Sequence, residues 1–167
     1  MPVNQSLTSM SIEDILRITI EAHDGLKDLN GNPAIPHPLA VGLAGKNELE
    51  QKVGFLHDVV EDSPITIADL RARGVEEDVL EAVDLLTHRH GMTYHEYVRN
   101  IVCSGNLTAM RVKLNDLYQN QQRARETFRT QDFSGTAGEQ KLDELQHIVE
   151  RHDWAVRYLE DALIARA

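Results

Sequence analysis

The sequence reads Gly54-Phe55-Leu56-His57-Asp58-Val59-Val60-Glu61-Asp62 within its first half, and apolar residues recur around this run at three- and four-residue steps. This spacing predicts one amphipathic helix over residues 47–62. Successive residues lie about 100° apart around a helix, so His57 and Asp58 flank one side of the apolar stripe. Glu61 and Asp62 then lie one turn further along, above His57 and Asp58.

The polar residues of this helix are typical of a metal site. Imidazole and carboxylate side chains bind divalent cations, so His57 and Asp58 are candidate ligands. Glu61 and Asp62 would lie roughly 6 Å away, a distance suited to polarising or deprotonating a water bound to the metal. The alternative is a solvated acidic helix end, which agrees with the proline that follows and with Thr66 as the cap of the next helix.

Two residues that are distant in sequence complete a candidate metal shell. His37 follows the turn-rich residues 28–36 and begins a predicted helix. Asp116 lies in a second predicted helix, over residues 107–122, three positions after Lys113. A salt bridge to Lys113 is the alternative role for Asp116.

A shell of His37, His57, Asp58 and Asp116 combines two imidazoles with two carboxylates. Such a mixed set suits manganese, iron or zinc better than calcium, which prefers oxygen ligands alone. It also leaves coordination positions open for water and for a substrate oxygen, which catalysis requires.

Three ordered motifs resemble those of a known family. They are His37-Pro38-Leu39, then Leu56-His57-Asp58-Val59-Val60-Glu61-Asp62-Ser63, then Arg111-Val112-Lys113-Leu114-Asn115-Asp116-Leu117 followed by Asn120. The upstream groups His23-Asp24-Gly25 and Gly31-Asn32-Pro33 extend the match over residues 23–120. Together the motifs resemble the HD-domain phosphohydrolases of the RelA/SpoT type, whose small stand-alone members are similar to this chain in length.

This resemblance implies an all-α fold, a single HD-domain helical bundle with a long C-terminal helix. It also implies one bound divalent ion, most commonly manganese, and removal of the 3′-pyrophosphate from guanosine tetra- or pentaphosphate. By the same resemblance the metal ligands are His37, His57, Asp58 and Asp116, the catalytic acidic pair is Glu61 and Asp62, and Asn120 lies near the nucleotide sugar.

Basic side chains close in sequence to these residues are candidate phosphate contacts. Lys27, Arg111 and Lys113 satisfy this condition, and solvated surface charge is the alternative for each. The predicted substrate-binding residues are Lys27, Lys113 and Asn120.

Two positions depart from the family pattern. Well-studied hydrolases carry a basic residue and a tyrosine that help to hold the nucleotide, where this chain has Asp28 and Ala34. We therefore expect the metal site of the family, whereas these two positions do not predict which nucleotide base the protein recognises. One alternative is an HD enzyme acting on another phosphorylated metabolite, such as a nucleoside phosphate or a nicotinamide dinucleotide phosphate. Another is a non-catalytic nucleotide-binding regulator.

Length and charge narrow the functional classes. A chain of 167 residues predicts one domain over residues 1–167, with no room for the nucleotide-synthesising domain of long RelA/SpoT proteins. The formal net charge of −10 disfavours nonspecific binding to nucleic acid or to an anionic membrane, whereas a small phosphorylated nucleotide remains compatible with a cation-containing pocket. With a single cysteine and neither a signal peptide nor a membrane-spanning segment, we expect a cytoplasmic protein.

Apolar periodicity predicts helices along the rest of the chain. The first begins at Ser11 and ends near His23, and others cover residues 37–44, 67–73, 76–88, 93–103 and 106–127. A loop over residues 131–138 precedes a final helix from Glu139 to Ala165. That helix carries a heptad seam of Leu142, Leu145, Val149, His152, Val156, Leu159 and Leu163. The seam favours packing onto the chain's own bundle, with a homodimer as the alternative.

Two further groups have an ordinary structural explanation. His88 and His90 precede Gly91 at a predicted helix end, where histidines interact favourably with the helix dipole, so we do not expect a metal there. Tyr94 and Tyr97 are expected to pack in the core, and lining a pocket is the alternative.

Overall fold

The computed structural model describes residues 9–167, and within this range all regular structure is helical apart from one isolated antiparallel bridge between Lys27 and Pro33. The helices are α1 (Ile12–His23), α2 (Pro36–Leu43), α3 (Glu48–Leu56), α4 (Val59–Asp62), α5 (Ile67–Ala72), α6 (Glu77–Leu86), α7 (Tyr94–Ser104), α8 (Leu107–Thr130) and α9 (Gly135–Ile164). The predicted all-α class is confirmed. None of the helices in this range is both long and apolar enough to cross a membrane.

Several helices begin where the sequence places a capping residue. Ser11 accepts a hydrogen bond from the Asp14 backbone N–H at the start of α1. Thr66 caps α5 and forms a reciprocal capping box with Asp69, as the threonine at this position predicts. These caps satisfy backbone N–H groups that have no partner within the helix.

Helix α3 lies at the centre of the bundle and packs against α1, α2, α6 and α8. Its buried residues join one hydrophobic cluster to which α1, α2 and α4–α9 also contribute, as do residues between the helices. The members that are completely buried and largest include Ile15, Leu56, Leu80, Met110, Leu117 and Leu159. The arrangement holds α2, the end of α3 and the middle of α8 side by side.

Helices α2 and α3 approach each other closely at a pair of glycines. A Cβ atom added to Gly54 would lie 2.7 Å from the Cα atom of Gly42, closer than real Cβ contacts allow. Both positions therefore need a residue without a side chain. This contact sets the distance between His37, near the start of α2, and His57, just after α3.

The predicted continuous helix over residues 47–62 is wrong at one point, because α3 ends at Leu56 and α4 begins at Val59. The side chain of His57 explains the break. Its Nδ1 lies 2.7 Å from the Gly54 carbonyl oxygen, which would accept the Asp58 backbone N–H in an uninterrupted helix. His57 and Asp58 consequently occupy a turn between two helices.

The ends of three other helices also differ from the prediction. Helix α8 continues to Thr130, α9 begins at Gly135 rather than Glu139, and α6 ends at Leu86 rather than His88. The predicted loop 131–138 is therefore reduced to residues 131–134. Asp132, within this short connection, accepts the Ser134 backbone N–H at 2.9 Å and so tightens the turn into α9.

Helix α9 packs against α7 and α8 of its own chain, as the heptad seam predicts. The contact is closest in its C-terminal half, where Ala155, Val156 and Leu159 are buried. Leu142 and Leu145, nearer the start of α9, are only partly buried. A homodimer formed through this helix stays a prediction, as does the assignment of residues 1–167 to one domain.

Candidate metal centre and active site

Four of the predicted site residues converge where α2, the turn after α3 and the middle of α8 meet. His37 Nε2 lies 3.0 Å from Asp116 Oδ1 and 3.5 Å from Asp58 Oδ2. His57 Nε2 lies 3.0 Å from Asp58 Oδ2 and 3.8 Å from Asp116 Oδ1. Ligating atoms of His37, His57 and Asp58 all lie within 4.8 Å of one another. We refer to His37, His57, Asp58 and Asp116 as the His–Asp cluster.

The donor atoms of the His–Asp cluster suit a divalent cation. A carbonyl oxygen can only accept, so His57 donates its Nδ1–H to Gly54 and turns Nε2 toward the carboxylates, where this nitrogen binds either a proton or a cation. That Nε2 is buried and makes no hydrogen bond to any residue in the described range. Donation of the second ring N–H to a carbonyl is the arrangement that usually orients metal-binding histidines. Two imidazole nitrogens and two carboxylates match a borderline cation such as manganese, iron or zinc.

The charged groups of the His–Asp cluster change one another's pKa values. Burial lowers the pKa of His57, but the carboxylates of Asp58 and Asp116 outweigh burial and raise that pKa to about 9. Burial raises the pKa of Asp116, whereas Lys113 and the two histidines hold it well below its usual range. Burial also raises the pKa of Asp58, but the neighbouring His57 brings that pKa below its usual value. Both carboxylates therefore stay ionised, and the cluster attracts a positive charge, whether a proton or a metal ion.

Glu61 and Asp62 lie beside the cluster in the short helix α4. Glu61 Oε2 accepts the His88 backbone N–H at 3.0 Å, which fixes the carboxylate at the end of α6. Burial raises the pKa of both carboxyl groups, and the negative charge of Asp58 adds to this effect. A raised pKa makes each carboxylate a better proton acceptor than an exposed one.

One cavity of about 330 Å³ unites these groups. Eight of the nine predicted site residues line it, namely Lys27, His37, Asp58, Glu61, Asp62, Lys113, Asp116 and Asn120. The ninth, His57, is buried behind them. The cavity therefore combines a candidate cation site, two carboxylates and basic side chains.

Lys113 is largely enclosed by protein, with its side chain 12% exposed. Its Nζ lies 2.7 Å from Asp116 Oδ2 and 5.0 Å from the ring centre of Tyr97. The salt bridge considered as an alternative from the sequence is thus present. It uses Oδ2 of Asp116, while Oδ1 faces His37 and accepts a hydrogen bond from Asn120 Nδ2 at 2.8 Å, so both roles of Asp116 are compatible. Contact between Lys113 and a substrate stays a prediction.

Comparison with known proteins adds an independent observation, although no family model matches the chain. A protein of Borreliella burgdorferi named guanosine-3′,5′-bis(diphosphate) 3′-pyrophosphohydrolase is 31% identical over 104 residues, which are 60% of this chain and 15% of that protein. A protein of Oryza sativa subsp. japonica named as the chloroplastic GTP diphosphokinase RSH1 is 41% identical over 56 residues, 31% of this chain and 6% of that protein. The chain thus spans a small part of either relative.

A solved structure resembles the chain over almost its whole length. It belongs to a protein described as a metazoan orthologue of SpoT that hydrolyses ppGpp. The two share 20% sequence identity with a TM-score of 0.60, over 96% of this chain and 98% of the other. This chain has the helical fold of a SpoT-type hydrolase. The RelA/SpoT resemblance deduced from the motifs is confirmed at the level of fold.

Within this SpoT-type fold, residues 24–35 form the loop that carries both departures from the family pattern. The carboxylate of Asp28 accepts the backbone N–H groups of Asn30 and Asn32, each at 2.9 Å, and thereby closes the loop. Leu29, at the tip, is 91% exposed and lines the cavity. Asp28 is therefore occupied in holding the loop, and Ala34 presents only a methyl group to the cavity.

The structure brings further residues to the cavity that were not predicted as site residues. Arg123 is exposed and lines it one turn after Asn120, a position that helical spacing could have indicated. Tyr94, Tyr97 and His88 line it as well. Tyr97 is also buried and donates its hydroxyl to the Leu86 carbonyl at 2.5 Å, so core packing and pocket lining both apply to it.

Arg111, considered as a phosphate contact, lies elsewhere. Its guanidinium is 3.3 Å from the carboxylate of Glu50, which is buried in α3. Arg111 is not among the residues that line the cavity. A buried carboxylate needs a partner, and Arg111 supplies it, so the charge at this position stabilises the contact between α3 and α8.

Proposed function

We propose that the chain is a metal-dependent phosphohydrolase that removes the 3′-pyrophosphate from guanosine tetra- or pentaphosphate. The observation that carries this proposal is the His–Asp cluster beside Glu61 and Asp62 in one cavity, within a SpoT-type fold. The name of the Borreliella burgdorferi relative supports the same substrate class.

We assign His37, His57, Asp58 and Asp116 as ligands of one divalent cation, most commonly manganese in enzymes of this type. A bound cation would polarise a phosphoryl oxygen and lower the pKa of a coordinated water. The acidic pair of Glu61 and Asp62 orients the attacking water and takes up one of its protons, for which the raised pKa values of the two carboxyl groups suit them. Asn120 and the nearby basic residues orient the nucleotide.

The reaction requires one water molecule and no other reactant. The water oxygen forms a bond to the phosphorus attached to the 3′ oxygen, and the bond between that phosphorus and the 3′ oxygen breaks. Pyrophosphate leaves with the water oxygen, one water proton passes to the acidic pair, and that proton is returned through solvent to the 3′ oxygen of the remaining nucleotide. Lys27, Lys113 and Arg123 lie where they can offset the negative charge of the phosphates.

A second candidate is hydrolysis of another phosphorylated nucleotide by the same residues. It is favoured by the loop 24–35, where Asp28 is engaged with the backbone and Ala34 offers no polar group to a base. A non-catalytic regulator is the third candidate, and nucleotide binding without turnover would favour it.

A nucleotide panel separates these possibilities. We would measure release of phosphate and pyrophosphate, with and without added manganese, for the intact chain and for Asp58→Ala. We expect pyrophosphate from guanosine tetraphosphate, together with loss of bound metal and of turnover in Asp58→Ala. Turnover of a different nucleotide would support the assignment of the catalytic site and contradict the assignment of guanosine tetraphosphate as the substrate. Bound metal without any turnover would contradict the enzymatic assignment.

A further inference from the structure

His23 is a buried histidine at the end of α1 that the mechanism above does not use. Its side chain is 1% exposed, and its Nδ1 lies 2.8 Å from the Thr19 carbonyl oxygen. Because a carbonyl oxygen can only accept, Nδ1 carries the proton in this contact. In the neutral ring Nε2 is then a hydrogen-bond acceptor.

The acceptor Nε2 is buried and has no hydrogen-bond partner within residues 9–167. A buried polar atom without a partner destabilises a fold, so its retention calls for a ligand or a water. Two observations show where this atom points. His23 lines the cavity of the candidate active site, and its Nε2 lies 4.0 Å from Asp62 Oδ2.

His23 and His57 are held in the same way, but they face different surroundings. Each ring directs Nδ1 at a backbone carbonyl of its own turn, that of Thr19 or Gly54, and its Nε2 has no hydrogen-bond partner in the described part of the chain. Around His57, a second imidazole and two carboxylates complete a donor set for a metal. Among residues 9–167, His23 has the carboxylate of Asp62 alone, a set too small for a metal but sufficient for a water molecule.

We propose that His23 and Asp62 together hold the attacking water. The 4.0 Å between His23 Nε2 and Asp62 Oδ2 is too long for a direct hydrogen bond. A water molecule that donates one hydrogen bond to each atom, at about 2.8 Å, spans this distance. Both hydrogens of that water then point at His23 and Asp62, so its oxygen lone pair faces the cavity. His23 is on this account a further water-positioning residue. The inference rests on the proposed function, because it needs a hydrolytic reaction.

The variant His23→Asn isolates the nitrogen in question. The amide nitrogen of asparagine lies close to the position of Nδ1, so it keeps a donor for Thr19 and removes Nε2. We expect kcat to fall about 10- to 100-fold, while KM, bound metal and Tm stay close to those of the intact chain. His23→Gln, which places a polar atom near the position of Nε2, should restore part of the rate. His147→Asn, at a histidine 73% exposed on α9, is the matched control.

A double-variant cycle tests whether His23 acts through the same water as Asp62. Groups that act as a unit are not additive, so His23→Asn should lower kcat less than about twofold when Asp62→Asn is already present. Full additivity would show that the two residues act separately and would overturn the proposal. So would an unchanged kcat in His23→Asn.

The remaining outcomes are also decisive. Parallel loss of Tm, metal and kcat in both His23 variants would assign His23 a purely structural role. If the intact chain hydrolyses no nucleotide, the proposed function fails and this inference fails with it. If the intact chain is active and His23→Asn is equally active, only the inference fails.

Discussion

The cavity has two sides that are built differently. On one side, the His–Asp cluster is held by packed helices, and the side chains of His37 and His57 are 8% and 4% exposed. On the other side, the loop 24–35 is exposed, and Leu29 at its tip is 91% accessible. The loop is held by polar contacts such as Gln131 Nε2 to Asn30 Oδ1 at 2.7 Å. The comparison indicates that the chemistry is rigidly positioned, whereas substrate selection depends on a loop that tolerates change.

The largest effect is expected beside the His–Asp cluster, at Glu61. Glu61→Gln keeps the size and the contact with the His88 N–H but removes one of the two negative charges of the acidic pair that orients and deprotonates the water. We expect kcat to fall about 10²- to 10⁴-fold with bound metal nearly intact. Turnover kinetics and metal analysis check this, with the exposed Glu81→Gln in α6 as control. Full activity of Glu61→Gln would remove Glu61 from the mechanism.

The next effect concerns the helix contact that spaces the two histidines. Gly54→Ala places a methyl group against the backbone of Gly42, so α2 and α3 must separate. We expect a loss of about 1–3 kcal/mol in the free energy of unfolding, or roughly 3–10 °C in Tm. Thermal unfolding measures the loss, and metal affinity should fall with it because His37 moves away from His57. An unchanged Tm would show that this contact is not tight.

A smaller effect is expected at the rim of the cavity, where only substrate binding is affected. Arg123→Gln removes a positive charge that faces the cavity, so we expect KM to rise about tenfold with kcat and metal content nearly unchanged. Arg125→Gln is a matched control, because Arg125 is exposed on the same helix but does not line the cavity. Equal effects of the two variants would reduce the role of Arg123 to general surface charge.

The smallest effect is expected in the loop 24–35. Asp28→Ala removes the acceptor of two backbone N–H groups and loosens the loop. We expect KM to rise about two- to fivefold, with kcat, metal content and Tm almost unchanged, because exposed hydrogen bonds contribute little to global stability. Steady-state kinetics of Asp28→Ala and of a control, Asp24→Ala, test this. Asp24 is an exposed aspartate at the start of the same loop. A large loss of Tm would show that the loop is part of the core structure.

Prediction from the sequence succeeded where local signals were strong. The apolar periodicity located the main helices, and Ser11 and Thr66 marked helix starts correctly. It failed at His57, where a side chain competes with the backbone for the Gly54 carbonyl and divides the predicted helix. Periodicity cannot reveal such competition, because the apolar pattern continues across the break. The early start of α9 at Gly135 was missed for a related reason, since glycine usually indicates a loop.

The sequence by itself determined which side chains were available for chemistry and which helices carried them. Ligand chemistry and the resemblance of the motifs to a known family were sufficient to name His37, His57, Asp58 and Asp116 as one candidate set, because each motif is short and local. Only the tertiary structure decided their distances, the enclosure of Lys113, the ion pair between Arg111 and Glu50, and the position of His23 beside Asp62. These features depend on how α1, α2, α3 and α8 pack against one another, and packing across long sequence separations leaves no periodic signal in the chain.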